Sequence, residues 1–380
     1  MPTFMQRKSS TPLSSYQGNR LLALDIFRGI TMAAMILVND PGISNHVYAP
    51  LEHAAWNGIT PTDFIFPSFI FIVGVSVVLS CSNQLQKEIP KKLMVRKICK
   101  RALILFLLGL FLSILPSFKL SNIRFPGVLQ RISIVYFSCA LLYLFTSITF
   151  QIRLAIFILV TYFLIMTLVP VPGYGYPILE PGKNLAAWVD SMVMPGRMYQ
   201  GTWDPEGVLS SFQAIVTGIA GMLAGHLIIS NKTADRKIIW LFLAGFISFT
   251  IANAWNWFFP INKNLWTSSF VLFVGGLDCM ILASLYFLTD VSGIRKWATF
   301  ALVFGSNAMA AYLVSEFFYN IIYFKYGGVN SKSLNAVIIN AVIPSGISPE
   351  LISLIWAILY CILCYVPLYI LYKKKIFLKI

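Results

Sequence analysis

Apolar residues in this chain come in long unbroken runs, not in the alternation of a strand or the one-sided stripe of a soluble helix. The first two, 21–38 and 64–81, each suffice to cross a bilayer at ~1.5 Å per helical residue. Further runs cover 102–115, 127–146, 154–169, 207–229, 239–255, 265–288, 298–319 and 350–372. A transmembrane β-barrel would instead show short alternating segments. The pattern predicts an all-α polytopic membrane protein with about ten transmembrane helices.

The polar connections between the runs differ in charge. Lys and Arg concentrate in 1–20, in 87–101 (Lys87, Lys91, Lys92, Arg96, Lys97, Lys100, Arg101), in the turn at 151–153, in 232–237, at 295–296 and in 373–380. The alternate connections, 39–63, 116–126, 170–206, 256–264 and 320–349, carry far fewer. By the positive-inside rule the basic set faces the cytoplasm and both termini lie there. The expected organisation is a cytoplasmic tail at 1–20, one transmembrane domain over 21–372 and a basic cytoplasmic end at 373–380. Because 1–20 is polar and the first run is of full spanning length, no cleavable signal peptide is expected.

Composition agrees: 58% of residues are hydrophobic and 11% charged. The net charge of +15 does not point to nucleic acid, since the cations sit beside spans, where membrane insertion places them. The six cysteines lie in or beside apolar runs, and Cys361-x-x-Cys364 falls inside one with no further His or Cys nearby. Buried small residues are expected there, and no metal site. No internal repeat is visible, which weakens the case for an inverted-repeat transporter.

Candidate chemistry concentrates in 39–63, where Asn39, Asp40, His46, Glu52, His53, Asn57 and Asp63 share one outer connection. His53 precedes an Asn57-Gly58 turn signal, and Thr60 or Thr62 can cap the next helix with Pro61 in its first turn. A histidine so held can act as a general base near neutral pH, or it can simply hydrogen-bond its own loop; the residues alone leave both open. His46 fits the second role, and His226 reads as interfacial. Arg131, with Gln130 beside it and Arg124 just outside the run, needs either a bound anion or a partner such as Asp25 or Asp278. Asp25 and Arg28, three residues apart, can pair on one helix face. Asp204 and Glu206 open the sixth run, where carboxylates favour a helix N-terminus. Asn262, Lys263 and Asn264 can meet sugar hydroxyls or line a loop. Asn307 and Glu316 suggest a cavity face, and Gly218, Gly221 and Gly225 close helix packing.

Several of these residues fall in longer motifs: RLLALDIFRGI (20–30), Asn39, HAAWNGIT (53–60), DFIFPSF (63–69), IRFPGVLQR (123–131), WDPEGVL (203–209), PINKNLW (260–266), GSNA (305–308) and YKKKIFLKI (372–380). Together, in this order, they resemble the heparan-α-glucosaminide N-acetyltransferase family of transmembrane acetyltransferases. The lysosomal member carries an extra luminal domain and a leading span, and its loop between the residues matching Asn39 and His53 is a few residues shorter.

The resemblance implies an enzyme that carries an acetyl group from cytoplasmic acetyl-CoA to the amine of a terminal glucosamine across the membrane, with no metal. It makes His53 the catalytic residue and places Asn39 at the acetyl group. Asp40, Trp56, Asn57, Asp63, Arg124, Gln130, Arg131, Asp204, Glu206, Asn262, Lys263, Asn264 and Asn307 become the expected donor- and acceptor-binding set. An amine attacks a thioester only when neutral, so a base helps, and Asn39 or Asn57 can donate to the oxyanion. Lys91, Lys92, Arg96 and Arg101 suit the phosphates of the nucleotide, and Arg131 a deeper part of the donor. Direct transfer uses His53 as base, whereas a ping-pong route would acetylate it first.

The expected protein is thus a homodimeric N-acetyltransferase of a bacterial inner membrane, its active loop facing outward. The rivals are a transporter of amino sugars or N-acetylglucosamine and an O-acyltransferase of cell-envelope glycans. A transporter would move sugar without acetyl-CoA; the O-acyltransferase differs only in its acceptor.

Overall fold

The structure, a computed structural model, describes residues 21–115, 123–194, 196–324, 332–343 and 346–378. The tail expected at 1–20, Lys119 of the expected outer connection and the last two residues lie outside these. Thirteen α-helices are present among the described residues: α1 Leu22–Asn39, α2 Pro61–Gln86, α3 Lys91–Ile114, α4 Val128–Phe145, α5 Ile148–Leu168, α6 Leu185–Val193, α7 Val208–Ile229, α8 Ala234–Trp255, α9 Ser268–Leu285, α10 Thr299–Ser306, α11 Ala308–Tyr323, α12 Leu334–Val342 and α13 Pro349–Lys373. Among the described residues no β-strand occurs, only isolated bridges between Gly58 and Asn262 and between Arg124 and Gly196.

Among the described residues eight helices are long and apolar enough to cross a membrane: α1, α2, α4, α5, α7, α8, α9 with its π-helical extension to Val291, and α13. The chain is an all-α polytopic membrane protein. Two of the ten expected spans take other forms. The run 102–115 is only the second half of α3, a helix of ~36 Å whose first half carries the basic cluster. The run 298–319 is broken at Asn307 into α10 and α11, whose axes differ by 73°. The short α6 and α12 lie within expected outer loops, capped by the side chains of Asn184 and Ser333.

Local sequence sets the ends. Thr60 and Asp63 form a reciprocal capping box on α2 with Pro61 at its first position, so Thr60 is the cap rather than Thr62. Ser147 caps α5 by accepting from the Phe150 N–H, which puts the turn before 151–153 and draws Gln151 into the helix. Asp290 accepts from the backbone N–H groups of Leu22 and Ala23 at 3.2 and 2.8 Å and so caps α1 from the far side of the sequence.

Glycines determine how closely the central helices approach. A Cβ at Gly74 in α2 would lie 2.0 Å from the Gly218 carbonyl oxygen in α7, and one at Gly221 would lie 2.0 Å from that of Phe71. A Cβ at Gly305 in α10 would lie 1.8 Å from the Asp25 carbonyl oxygen in α1. Close backbone contact between membrane helices is favoured by such small residues. Helices α5 and α8 are peripheral, with only 17% of their apolar windows buried inside the protein. All six cysteines are free, and Cys361 and Cys364 pack in the interior as expected.

The Gly221→Val protein should lose about 1–3 kcal/mol of stability, because backbone cannot yield to the added carbons as a flexible side chain would. Thermal unfolding in detergent checks this, with Gly275→Ala as the tolerated comparison, since its added Cβ would meet only Ala220 Cβ at an ordinary 3.5 Å.

Candidate active site

Four connections meet at one end of the helix bundle: that between α1 and α2, the approach to α4, the segment before α7 and the turn between α8 and α9. Gly58, at φ +102° in the predicted Asn-Gly turn, donates its N–H to the Ile261 carbonyl at 2.8 Å. Asn262 donates from Nδ2 to Asn57 Oδ1 at 3.1 Å and accepts from the Leu265 N–H. Trp56 donates to the Leu179 carbonyl at 2.8 Å and sits edge-on to Trp203.

Asp63 lies at the centre of this end, with only 2% of its side chain exposed. Its Oδ2 accepts from the N–H groups of Ala54 and Thr60, at 2.9 and 3.2 Å, and from the Thr60 hydroxyl at 3.1 Å. Its Oδ1 lies 2.7 Å from His53 Nδ1 and accepts from Lys263 Nζ at 3.2 Å. Lys263 Nζ is also 3.2 Å from His53 Nδ1. The shorter bond to a carboxylate, which only accepts, fixes the proton on Nδ1 and leaves Nε2 as the lone-pair nitrogen. The His53 side chain is 57% exposed, so Nε2 is open to a substrate. Burial pulls the Lys263 ammonium below its ordinary range, while the Asp63 carboxylate acts in the other direction.

A second cluster adjoins the first. Arg124 grips Asp204 through two parallel bonds of 2.8 and 2.6 Å and also bonds Glu206, with its guanidinium over the Tyr199 ring. The Arg124 pair holds the Asp204 carboxyl below the usual range against its burial. Asp190 accepts from the Val208 N–H at 2.8 Å, yet burial pushes it up to about 6. Glu206 connects the clusters, since its charge acts on both Lys263 and Arg131.

Arg131 is 1% exposed and meets neither Asp25 nor Asp278. Its guanidinium lies over the Trp266 ring at 4.8 Å and donates to Ser210 Oγ and the Gly207 carbonyl. Trp266 holds a left-handed backbone (φ 54°) with its indole N–H on Thr217. Sequence could not show these contacts, because Ser210 and Trp266 carry no charge signal. Asp25 pairs instead with Arg28 at 3.1 Å, as its spacing predicted.

The remaining expected residues are dispersed. Asn39 ends α1 exposed, and Asn264 lies in the α8–α9 turn. Gln130 sits against Gly127. Asp40 is buried beside Glu316, and desolvation first, then that neighbour, push its carboxyl up to about 7. Glu316 in turn bonds Tyr312, a partner one helical turn away that sequence reading passed over. Asn307 lies elsewhere: its side-chain amide clasps the chain end, donating to the Ile376 carbonyl at 2.9 Å and accepting from the Leu378 N–H at 3.0 Å. His46 pairs with Glu350 at 3.0 Å, and His226 stacks on Tyr143.

A helical membrane bundle that presents a buried carboxylate and an open imidazole at one end is the class that fold and site define. The comparisons are specific within it. The model for the catalytic region of heparan-alpha-glucosaminide N-acetyltransferase matches residues 20–186, a stretch holding His53, Asp63, Arg124 and Arg131. The mouse and human proteins named heparan-alpha-glucosaminide N-acetyltransferase are each 29% identical over 419 aligned positions, which cover 95% of this chain. The chain is thus similar to heparan-alpha-glucosaminide N-acetyltransferases along nearly all of its own length, and the family model covers its first half, from the start of α1 into α6. The chain spans 61% and 60% of the length of those two relatives.

Two outcomes follow for stability. Arg124→Ala strands the buried Asp204 carboxylate and should cost about 3–5 kcal/mol, read as a fall in Tm. Asp40 and Asp190 have raised folded-state pKa values, so their contribution is fully present below the ordinary 3.8 and is lost as pH rises through about 6 and 7. Tm should therefore rise as pH falls from 8 to 5, and the double variant Asp40→Asn, Asp190→Asn should flatten that rise.

Proposed function

We propose that the chain is a membrane N-acetyltransferase that moves an acetyl group from acetyl-CoA to the amine of a glucosamine-type sugar, with His53 as general base. The observation that carries this reading is the 2.7 Å contact between His53 Nδ1 and Asp63, which leaves Nε2 as the other ring nitrogen of a side chain that is 57% exposed. The match to the family model and the names of the similar proteins support the reaction class.

In this mechanism Nε2 takes a proton from the sugar amine as its nitrogen bonds to the thioester carbon. The imidazolium so formed is stabilised by Asp63, whose other oxygen is anchored to the loop by two N–H groups and the Thr60 hydroxyl. As the tetrahedral adduct collapses, the C–S bond breaks and the departing thiolate takes up the proton from His53 Nε2–H, which restores the neutral base. Asn57 has its carbonyl oxygen held by Asn262, which leaves its Nδ2 to donate to the oxyanion; Asn39 is exposed at the end of α1, apart from this cluster. This is direct transfer, with no acetyl group resting on His53.

The donor's phosphates suit the opposite end of the bundle. There Lys92 and Arg96 of α3 are exposed, whereas Lys91 is engaged on the Leu144 carbonyl and Arg101 on the Tyr136 ring. That basic end is taken as cytoplasmic and the His53 end as extracytoplasmic.

The test uses proteoliposomes of known orientation, with labelled acetyl-CoA at the basic end and glucosamine at the other. Acetylated sugar should appear across the membrane, and a folded His53→Ala protein should lose about 10²–10⁴ in kcat. Asp63→Asn should lose about 10²-fold or more with KM for acetyl-CoA little changed, because it upsets the tautomer and not donor binding. Sugar crossing unmodified at equal rates with and without donor would make this a transporter instead.

A further inference from the structure

A groove of about 290 Å³ runs between α3, α4 and α7 at the His53 end of the bundle. Its sides are apolar, built from residues such as Phe106, Ile134, Phe212 and Ile215. Ile134 and Phe212 are 39% and 51% exposed on helices that cross the membrane, so the open side of the groove faces lipid. Its other end holds polar side chains, among them Arg131 and Glu206. Arg131 is 1% exposed and keeps Nε and Nη1 with no hydrogen-bond partner. Buried guanidinium donors without acceptors are destabilising, and a ligand oxygen reaching them would remove that cost.

From this juxtaposition we infer that the groove is a lateral entry for an acceptor carried on a hydrocarbon chain. The chain lies against the apolar walls, and hydroxyl or phosphate oxygens of the sugar end accept from Arg131. A free, fully hydrated sugar does not match these walls, because its hydroxyls would lose water and find few partners along them. A tailed sugar matches both ends. Glu206 lines this groove beside Arg131 and bonds Arg124, the cation of the cluster that adjoins His53 and Asp63. The inference rests on the transferase reading for what then happens to the sugar, but the groove and its ligand class rest on the geometry alone. The acceptor is therefore an amphiphile drawn from the outer leaflet.

The experiment compares methyl glucosaminide with decyl glucosaminide as acceptors in the same proteoliposomes, for wild type and for Ile134→Trp, which fills the groove. Wild type should favour the tailed acceptor about tenfold or more in kcat/KM, which takes fewer than about two buried methylenes. Ile134→Trp should lower that preference about fivefold or more relative to wild type, leaving only what bilayer enrichment gives both proteins. Both proteins see the same enrichment of the decyl compound in the bilayer, so an equal preference in the two would overturn the inference.

A binding measurement on wild type stands apart from activity and from the folding of the variant. Decyl glucosaminide with a diazirine on its tail is photolysed, and labelled peptides are identified by mass spectrometry. Labels on the α4 and α7 peptides that hold Ile134 and Phe212, displaced by decyl glucosaminide but not by excess phospholipid, support the groove. Labels spread over the lipid-facing α5 and α8, or displaced equally by phospholipid, overturn it. Specific labelling without acetylation of either acceptor would sink the transferase reading and leave the groove standing. Acetylation without labelling there would do the reverse.

Discussion

The Asp63 carboxylate is the constraint on which the rest depends. It closes the first turn of α2, holds the loop through the Ala54 and Thr60 N–H groups, orients His53 and binds Lys263 from the α8–α9 turn. One buried anion thus joins a helix end, a loop and a cation far away in sequence. In so poorly hydrated a place, each of those partners is needed to keep the charge buried. The consequence for chemistry is a histidine with one nitrogen fixed and the other free. A capping interaction, common at helix ends for stability alone, here also sets a tautomer.

The bundle beneath makes that arrangement repeatable. Asp63 rides on α2, which meets α7 backbone to backbone through Gly74, Gly218 and Gly221. Helix α7 in turn begins just after Asp204, Glu206 and Gly207, and a Cβ at Gly207 would meet the Asp190 carboxylate at 2.0 Å. The same glycine contacts that bring α2 and α7 together therefore place Glu206 near Lys263 and Arg131. Small residues in the membrane interior act on the site through helix position, without touching it.

Much of this was legible in the sequence, because the signals were local. The apolar runs gave the helices, the Asn57-Gly58 turn and the Thr60–Asp63 spacing gave the start of α2, and the i,i+3 spacing gave Asp25–Arg28. Contacts across the fold were not legible. Lys263 looked like a loop cation until folding set it against Asp63, and Arg131 suggested an ion pair where the structure supplies Trp266, Ser210 and a carbonyl. Helix α3 was read as half its length because hydropathy follows only the part among apolar neighbours. The 73° break at Asn307 follows Gly305-Ser306, a pair that permits a kink, but the long apolar run on either side hid it; the chain end at Ile376–Leu378 takes up the Asn307 side-chain amide.

The central claim is that acetyl transfer occurs at His53 Nε2, held by Asp63. The most direct measurement is a cryo-electron-microscopy structure with a bisubstrate analogue in which the glucosamine nitrogen is linked covalently through an acetyl bridge to coenzyme A. The account requires that nitrogen within hydrogen-bond distance of His53 Nε2, with the nucleotide directed toward the basic end of α3. An analogue bound in full occupancy with its nitrogen away from His53 would contradict it.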